Sequence, residues 1–201
     1  MSSAQKKQLQ PIGTPAERIV EVASELFYKQ GYRATGINEV IKKSGVAKAT
    51  FYSHFPSKDD LCKVCLQGLS KSELEFVDCA IESAKGPVKR FLAILESLET
   101  WALDTNFRGC AFLNMASEVP DPTSPLRKEG MKLYDNIRSR AEEMSRELIA
   151  SDIKRYGHLD IEQLANDYMV VFAGAVALTE LYHAVWPIQH GVKNMRRLIG
   201  D

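Results

Sequence analysis

Apolar residues recur along most of this chain at intervals of three and four, the spacing that gathers them on one side of an α-helix, and no stretch alternates as a half-buried strand does. Ile19, Val22, Ala23, Leu26 and Phe27 form the first stripe. Thr14-Pro15-Ala16-Glu17 ahead of it is a capping box with proline at the first helical position, where a missing N–H costs nothing. Gly31 behind it suits a left-handed stop. These signals predict a helix over residues 15–30. A second, short helix is predicted from Thr35 or Gly36 to Ser44-Gly45, with Ile37, Val40 and Ile41 on one face, and a third over 46–55, with Phe51 and Phe55 one turn apart. Ser57, followed three residues later by Asp60, caps a fourth that runs to about residue 83.

Beyond it, Gly86-Pro87 opens a helix to about residue 104 whose stripe is Val88, Phe91, Leu92, Leu95, Leu98 and Trp101. A short helix is predicted over roughly 110–118, then a proline-rich loop over 119–125. Ser124-Pro125 repeats the cap-plus-proline signal and starts a long helix in which Leu126, Gly130, Leu133, Ile137, Ala141, Met144 and Leu148 keep spacings of three and four, with Gly157 at or just past its end. Asp160 with Gln163 caps the last major helix, predicted to reach about residue 186 before Pro187 interrupts it. The longest unbroken apolar run, the ten residues 169–178, falls well short of the ~20 that cross a bilayer and reads as a buried helix segment. The fold class expected is all-α.

Charge changes the picture locally. Lys+Arg and Asp+Glu balance at 26 each over the 201 residues. Residues 1–60, however, hold nine basic against six acidic side chains, and within 29–58 Lys29, Arg33, Lys42, Lys43, Lys48 and Lys58 face only Glu39. A basic patch on a neutral chain is what a phosphate-facing surface needs. The first thirteen residues contain no apolar core of an export signal, and Cys62, Cys65, Cys79 and Cys110 lack the spacing of a disulfide framework. The expectation is a cytoplasmic protein with reduced thiols and no membrane partner.

Two short helices joined by a glycine-containing turn, here residues 37–55, are a helix-turn-helix. Residues 32–61, YRATGINEVIKKSGVAKATFYSHFPSKDDL, resemble the DNA-binding domain of the TetR/AcrR family of bacterial transcriptional regulators. That family has a Thr/Ser-started helix, a Gly-Val turn and a recognition helix reading roughly S-K-G-T-x-Y-x-[HY]-F before a serine-capped fourth helix. The resemblance implies an N-terminal three-helix DNA-binding domain, a C-terminal helical domain for effector binding and dimerisation, and a homodimer on double-stranded operator DNA, most simply a repressor released by a small-molecule effector. Thr35, Tyr52, His54 and Lys58 fall on positions that typically touch phosphates, with Gly36 where the family often has Ser or Thr. Lys48, Ala49 and Thr50 open the recognition helix, where small side chains let it approach base edges in the major groove. Val46, Phe51 and Phe55 are expected to be core. Ala47 stands where the family commonly caps with Ser, a loss of about 1 kcal/mol of helix stability.

The domains expected are a flexible arm over 1–13, the DNA-binding domain over 14–56 and the ligand-binding and dimerisation domain over 57–201. Within 107–125, FRGCAFLNMASEVPDPTSP resembles a TetR subgroup with a G-C-x-[FL]-x-N-x-A-x-E pattern. Candidate effector contacts are Trp101, Cys110, Phe112, Asn114, Met115, Tyr168, Phe172 and His183. The long stripe from Leu126 to Leu148 and the small-residue run Ala173-Gly174-Ala175-Val176-Ala177 both suit a dimer bundle. Two other classes have weaker support. Cys62-x-x-Cys65 invites a redox or metal switch, but it lies inside a helix without a second ligand pair. An enzyme pairing Cys110 with His158 or His183 lacks a nucleophile elbow, a phosphate loop or paired carboxylates. No enzyme activity, cofactor or metal site is expected.

Overall fold

The computed structural model describes residues 13–201, so residues 1–12 of the expected arm lie outside the described residues. Ten helices and no strand occur among the described residues, and the fold is all-α. The chain divides into two compact units, one ending at Cys65 and one running Leu66–Asp201.

In the first unit α1 (Pro15–Gln30) starts on the expected capping box: Thr14 Oγ1 accepts from the Glu17 amide at 3.2 Å while the Thr14 amide donates to the Glu17 carboxylate at 2.7 Å. α2 (Ile37–Ser44) ends at Gly45, whose φ of 66° is the left-handed turn that separates it from α3 (Lys48–His54). Ile19, Ala23, Leu26, Val40, Phe51, Phe55, Leu61 and Cys65 close a single core, with Val46 packed on its edge. Phe51, fully buried beneath α3, fixes how that helix lies on α1. α3 is shorter than expected, because Val46 and Ala47 lie in the turn before it, Ala47 extended and offering no side-chain cap. α4 (Lys58–Ser83) begins in this unit, with Ser57 Oγ accepting from the Asp60 amide at 3.0 Å.

The second unit is a bundle around α5 (Pro87–Asp104), whose Phe91, Leu92, Ile94, Leu95 and Leu98 are buried on nearly every side. α7 (Pro125–Ser151), α9 (Ile161–Tyr182) and α10 (Trp186–Leu198) pack around it, and α6 (Ala111–Glu118) lies on α7. Tyr168 on α9 is buried edge-on against Phe91, ring centroids 5.3 Å apart, and its hydroxyl accepts from the Leu95 amide at 3.3 Å. Arg140 on α7 grips Asp78 on α4 with both nitrogens of a fork, one bond of 2.7 Å. Such bidentate pairing adds direction as well as energy.

Four expectations need correction. α7 stops at Ser151, where Asp152 turns extended and caps the one-turn α8 (Ile153–Tyr156); Gly157 follows α8 rather than α7. α9 stops at Tyr182 because His183 takes a left-handed φ of 51°. Pro187 does not interrupt that helix but sits in the first turn of a separate one, α10, where proline is at home. Finally, the run 169–178 is buried on one side only. Phe172, Ala175 and Val176 point inward, whereas Val170 is 74% exposed.

Candidate functional site

The first unit presents α3 to solvent. With Phe51 and Phe55 turned into the core, the helical period leaves Lys48, Ala49, Tyr52, Ser53 and His54 exposed and Thr50 half-exposed. The base of Tyr52 is held by an edge-on contact with Phe51, centroids 5.3 Å apart. Lys42 and Lys48 are exposed and join no ion pair among the described residues, whereas Lys43 is engaged by Glu39 at 2.9 Å and Lys29 by Glu25 at 2.7 Å. Lys58 Nζ lies 4.3 Å from the centre of the Tyr32 ring and 3.5 Å from the Arg33 carbonyl, so its charge is positioned at the start of α4. Thr35 is placed differently from a surface contact. It is buried, and its hydroxyl donates to the Gly31 carbonyl at 2.8 Å, closing the turn after α1. Gly36, the exposed N-cap of α2, has no side-chain cap bond. This is a small convex helix carrying cations and hydroxyls on a rigid apolar base, a surface suited to a groove lined with phosphates.

The second unit contains an apolar cavity of about 30 Å³ between α4, α5, α7 and α9. Trp101, Cys110 and Phe172, three of the eight residues expected to touch an effector, line it. Glu73 and Phe76 from α4 and Tyr134 from α7 line it too and were not anticipated. Burial pushes the Glu73 carboxyl above its usual range, partly opposed by the Trp101 indole, which donates to it at 3.4 Å. Burial likewise raises the Cys110 thiol, which receives the Tyr134 hydroxyl at 3.7 Å.

The other five expected residues are elsewhere. Phe112 faces a separate recess beside Arg127 and Gly130, Met115 is core, and Tyr168 is committed to α5. Asn114 donates to the Arg108 carbonyl at 3.4 Å and so braces the loop before α6. His183 is exposed at the end of α9 and stacks on Phe107, centroids 4.5 Å apart. Its left-handed backbone, which carries it off the inward face, could not be read from helical spacing.

The stripe from Leu126 to Leu148 also needs correction, since Leu126, Leu133, Ile137, Ala141, Met144 and Leu148 are all buried within the chain itself. The open apolar face lies on α9 and the start of α10: Val170, Leu178, Leu181, Tyr182 and Trp186 are exposed. Gly174 lies among them, and a Cβ added there would meet nothing within 4 Å.

Cys62 and Cys65 are buried and form no disulfide. Burial pushes the Cys65 thiol up to about 11, opposite to the depressed value of a reactive thiolate. No cluster of three or more potential metal ligands occurs among the described residues.

Comparison with known proteins matches residues 19–65 to the family model described as bacterial regulatory proteins, tetR family, and residues 87–195 to a tetracyclin repressor-like C-terminal domain. The HTH-type transcriptional regulator LmrA of Bacillus subtilis is 28% identical over 142 residues, 70% of this chain and 76% of that protein. The HTH-type transcriptional regulator YxaF of the same organism is 30% identical over 124 residues, 61% of this chain and 65%, just under two thirds, of that protein. A crystal structure of SCO4454, a TetR-family transcriptional regulator from Streptomyces coelicolor, superposes with a TM-score of 0.78 at 25% identity, covering 93% of this chain and 97% of the other.

Proposed function

This chain belongs to the TetR family of DNA-binding transcriptional regulators, and on that premise we propose that it is a cytoplasmic homodimeric repressor, released from a pseudo-palindromic operator when a small molecule fills the cavity of its second unit. Residues 14–56 serve as the DNA-binding domain and 57–201 as the effector and dimerisation domain. The observation that carries the reading is the division of α3 into a buried aromatic side, Phe51, and an exposed side of Lys48, Ala49 and Tyr52. Lys48, Ala49 and Thr50 meet base edges; Tyr52, His54 and Lys58 hold phosphates, and Thr35 and Gly36 set the turn that aims them. Trp101, Cys110 and Phe172, joined by Glu73 and Tyr134, receive the effector. Two copies associate through the open face of α9, so that one short sequence is read twice. Release requires the effector to favour a dimer conformation that fits the operator less well, because equal affinity for both conformations shifts nothing.

Selection of bound duplexes from a randomised library, followed by reporter transcription from the selected site, tests this. The expected result is a two-fold-related sequence whose promoter is silenced by the protein. A single asymmetric half-site, or a promoter that is stimulated, would overturn the repressor reading.

A further inference from the structure

The cavity of the second unit has apolar walls with one charged group. Its other polar atoms are already engaged: the Ser97 hydroxyl donates to the Ile94 carbonyl at 2.8 Å, and the Tyr134 hydroxyl donates to Cys110 Sγ. Glu73 is not so provided. A carboxylate can accept about four hydrogen bonds, yet its bond among the described residues is a 3.4 Å contact from the neutral Trp101 indole, and no Lys, Arg or His pairs with it. A Met or Leu at this position would fill the same space without the desolvation penalty of a half-buried charge. The rings of Trp101, Tyr134, Phe76 and Phe172 stand around it, Tyr134 and Phe172 meeting edge to face at 5.9 Å.

We propose that this cavity selects a small organic cation, an aryl- or alkylammonium ion, with Glu73 as its counter-charge and the surrounding rings as its cage. The inference rests on reading the cavity as the effector site. An anion would be repelled by Glu73, and a neutral molecule would bury the carboxylate deeper with no partner. A cation supplies the missing charge and meets the negative faces of the rings. The thiol of Cys110 and the phenol of Tyr134 are held neutral by burial and do not compete for it. At about 30 Å³ the resting cavity holds on the order of one or two waters, so the ligand must part its walls. Glu73, Phe76, Ser97, Trp101, Cys110 and Tyr134 are the half-buried members, whereas Leu133, Ile137 and Val176 are buried. The widening therefore falls on this less buried side of the wall, and affinity is lowered by the fraction of time the wall is closed.

The experiment is calorimetric and thermal-shift titration of the full chain with benzyltrimethylammonium, a larger aryltrimethylammonium ion, and the neutral isosteres in which carbon replaces nitrogen. It is carried out on wild type, Glu73→Gln and Ile137→Trp, the last of which fills the cavity. A cation is expected to bind wild type, at least tenfold more weakly to Glu73→Gln, and not at all to Ile137→Trp; the isosteres gain from Glu73→Gln. Without ligand, Glu73→Gln should melt higher than wild type at pH 7 to 8, since it removes a charge disfavoured by burial. Isosteres that bind wild type as well as the cations, and lose binding in Ile137→Trp, would keep the cavity as a ligand site and reject the cationic class. Binding untouched by Ile137→Trp would reject both. Failure of every cation to bind, or a lower melting temperature for Glu73→Gln, would overturn the role given to Glu73.

Discussion

Replacing Gly174 with arginine separates the stability of the folded chain from that of the pair. Within one chain a Cβ at Gly174 meets nothing within 4 Å, so the substitution costs the monomer no packing. It exchanges the poorest ordinary helix former for a good one in the middle of α9, a gain of up to about 1 kcal/mol. Gly191 on α10 is the internal control, because a Cβ there would lie 3.0 Å from Val171 Cγ1 and 3.7 Å from Ala175 Cβ, on the α9–α10 contact itself. In a two-fold dimer built on the open face of α9, the introduced guanidinium would enter the interface twice, once from each copy. A buried charge without a partner costs about 3–5 kcal/mol. Two copies at the low end total about 6 kcal/mol, and at 1.4 kcal/mol per decade that weakens association by about 10⁴. Sedimentation velocity from nanomolar to tens of micromolar should find wild type dimeric and Gly174→Arg monomeric. The monomeric variant should keep helical circular dichroism, whereas Gly191→Arg should lose it or melt far lower. A Gly174→Arg variant that sediments as a dimer with wild-type affinity would refute the assignment of this face.

Further outcomes test the first unit and the charge pairs. Phe51→Ala should destabilise the N-terminal unit by about 3–5 kcal/mol, the usual cost of emptying an aromatic site in a core, measured by local hydrogen exchange in α1 and α3. Thr50→Ala or Lys48→Ala should relax base preference at one position per half-site, at about 1–3 kcal/mol for a good base contact. Lys58→Ala should instead weaken all sequences alike and lower the slope of log affinity against log salt by about one; a change of sequence preference in Lys58→Ala alone would reverse the docking orientation. Arg140 holds the Asp78 carboxyl below its ordinary 3.8. Its contribution is therefore present above that pH and fades as pH falls through the lowered value. Asp78→Asn should lower the melting temperature at pH 7 and make progressively less difference below pH 3.8, and a pH-independent difference would contradict the pairing.

How much of this is legible in the sequence follows from the range of the forces involved. α1, α5 and the start of α7 are readable because Thr14, Pro87 and Ser124-Pro125 act within one helical turn. The G-C-x-F-x-N pattern is recognisable as a string, but its physical meaning needs the fold. Gly109 has a φ of 79°, and any Cβ there would fall 1.8 Å from the Glu180 carboxylate of α9; Cys110 then faces the cavity and Asn114 ties back to Arg108. Glu73 and Tyr134 escape notice for the opposite reason. Each looks like an ordinary amphipathic helix position, and only packing between α4, α5 and α7 makes one an internal charge and the other its neighbour. The same limit explains Leu126–Leu148, whose regular spacing is equally consistent with a core and with an interface. Proline misleads once, at Pro187, where a helix-opening residue reads as an interruption because the left-handed turn at His183 has no sequence signature.

If two copies pair through the α9 stripe as proposed, the regulator becomes sensitive to its own dosage. Well below the dissociation constant of the pair, mass action makes the amount of dimer vary with the square of the amount of chain. One round of cell division without new synthesis then cuts the DNA-competent species fourfold rather than twofold. Val170, Leu181 and their neighbours, open to water in the single chain, would in that case set a concentration threshold: a cell that stopped making the protein would clear its operator through dilution, with no effector present.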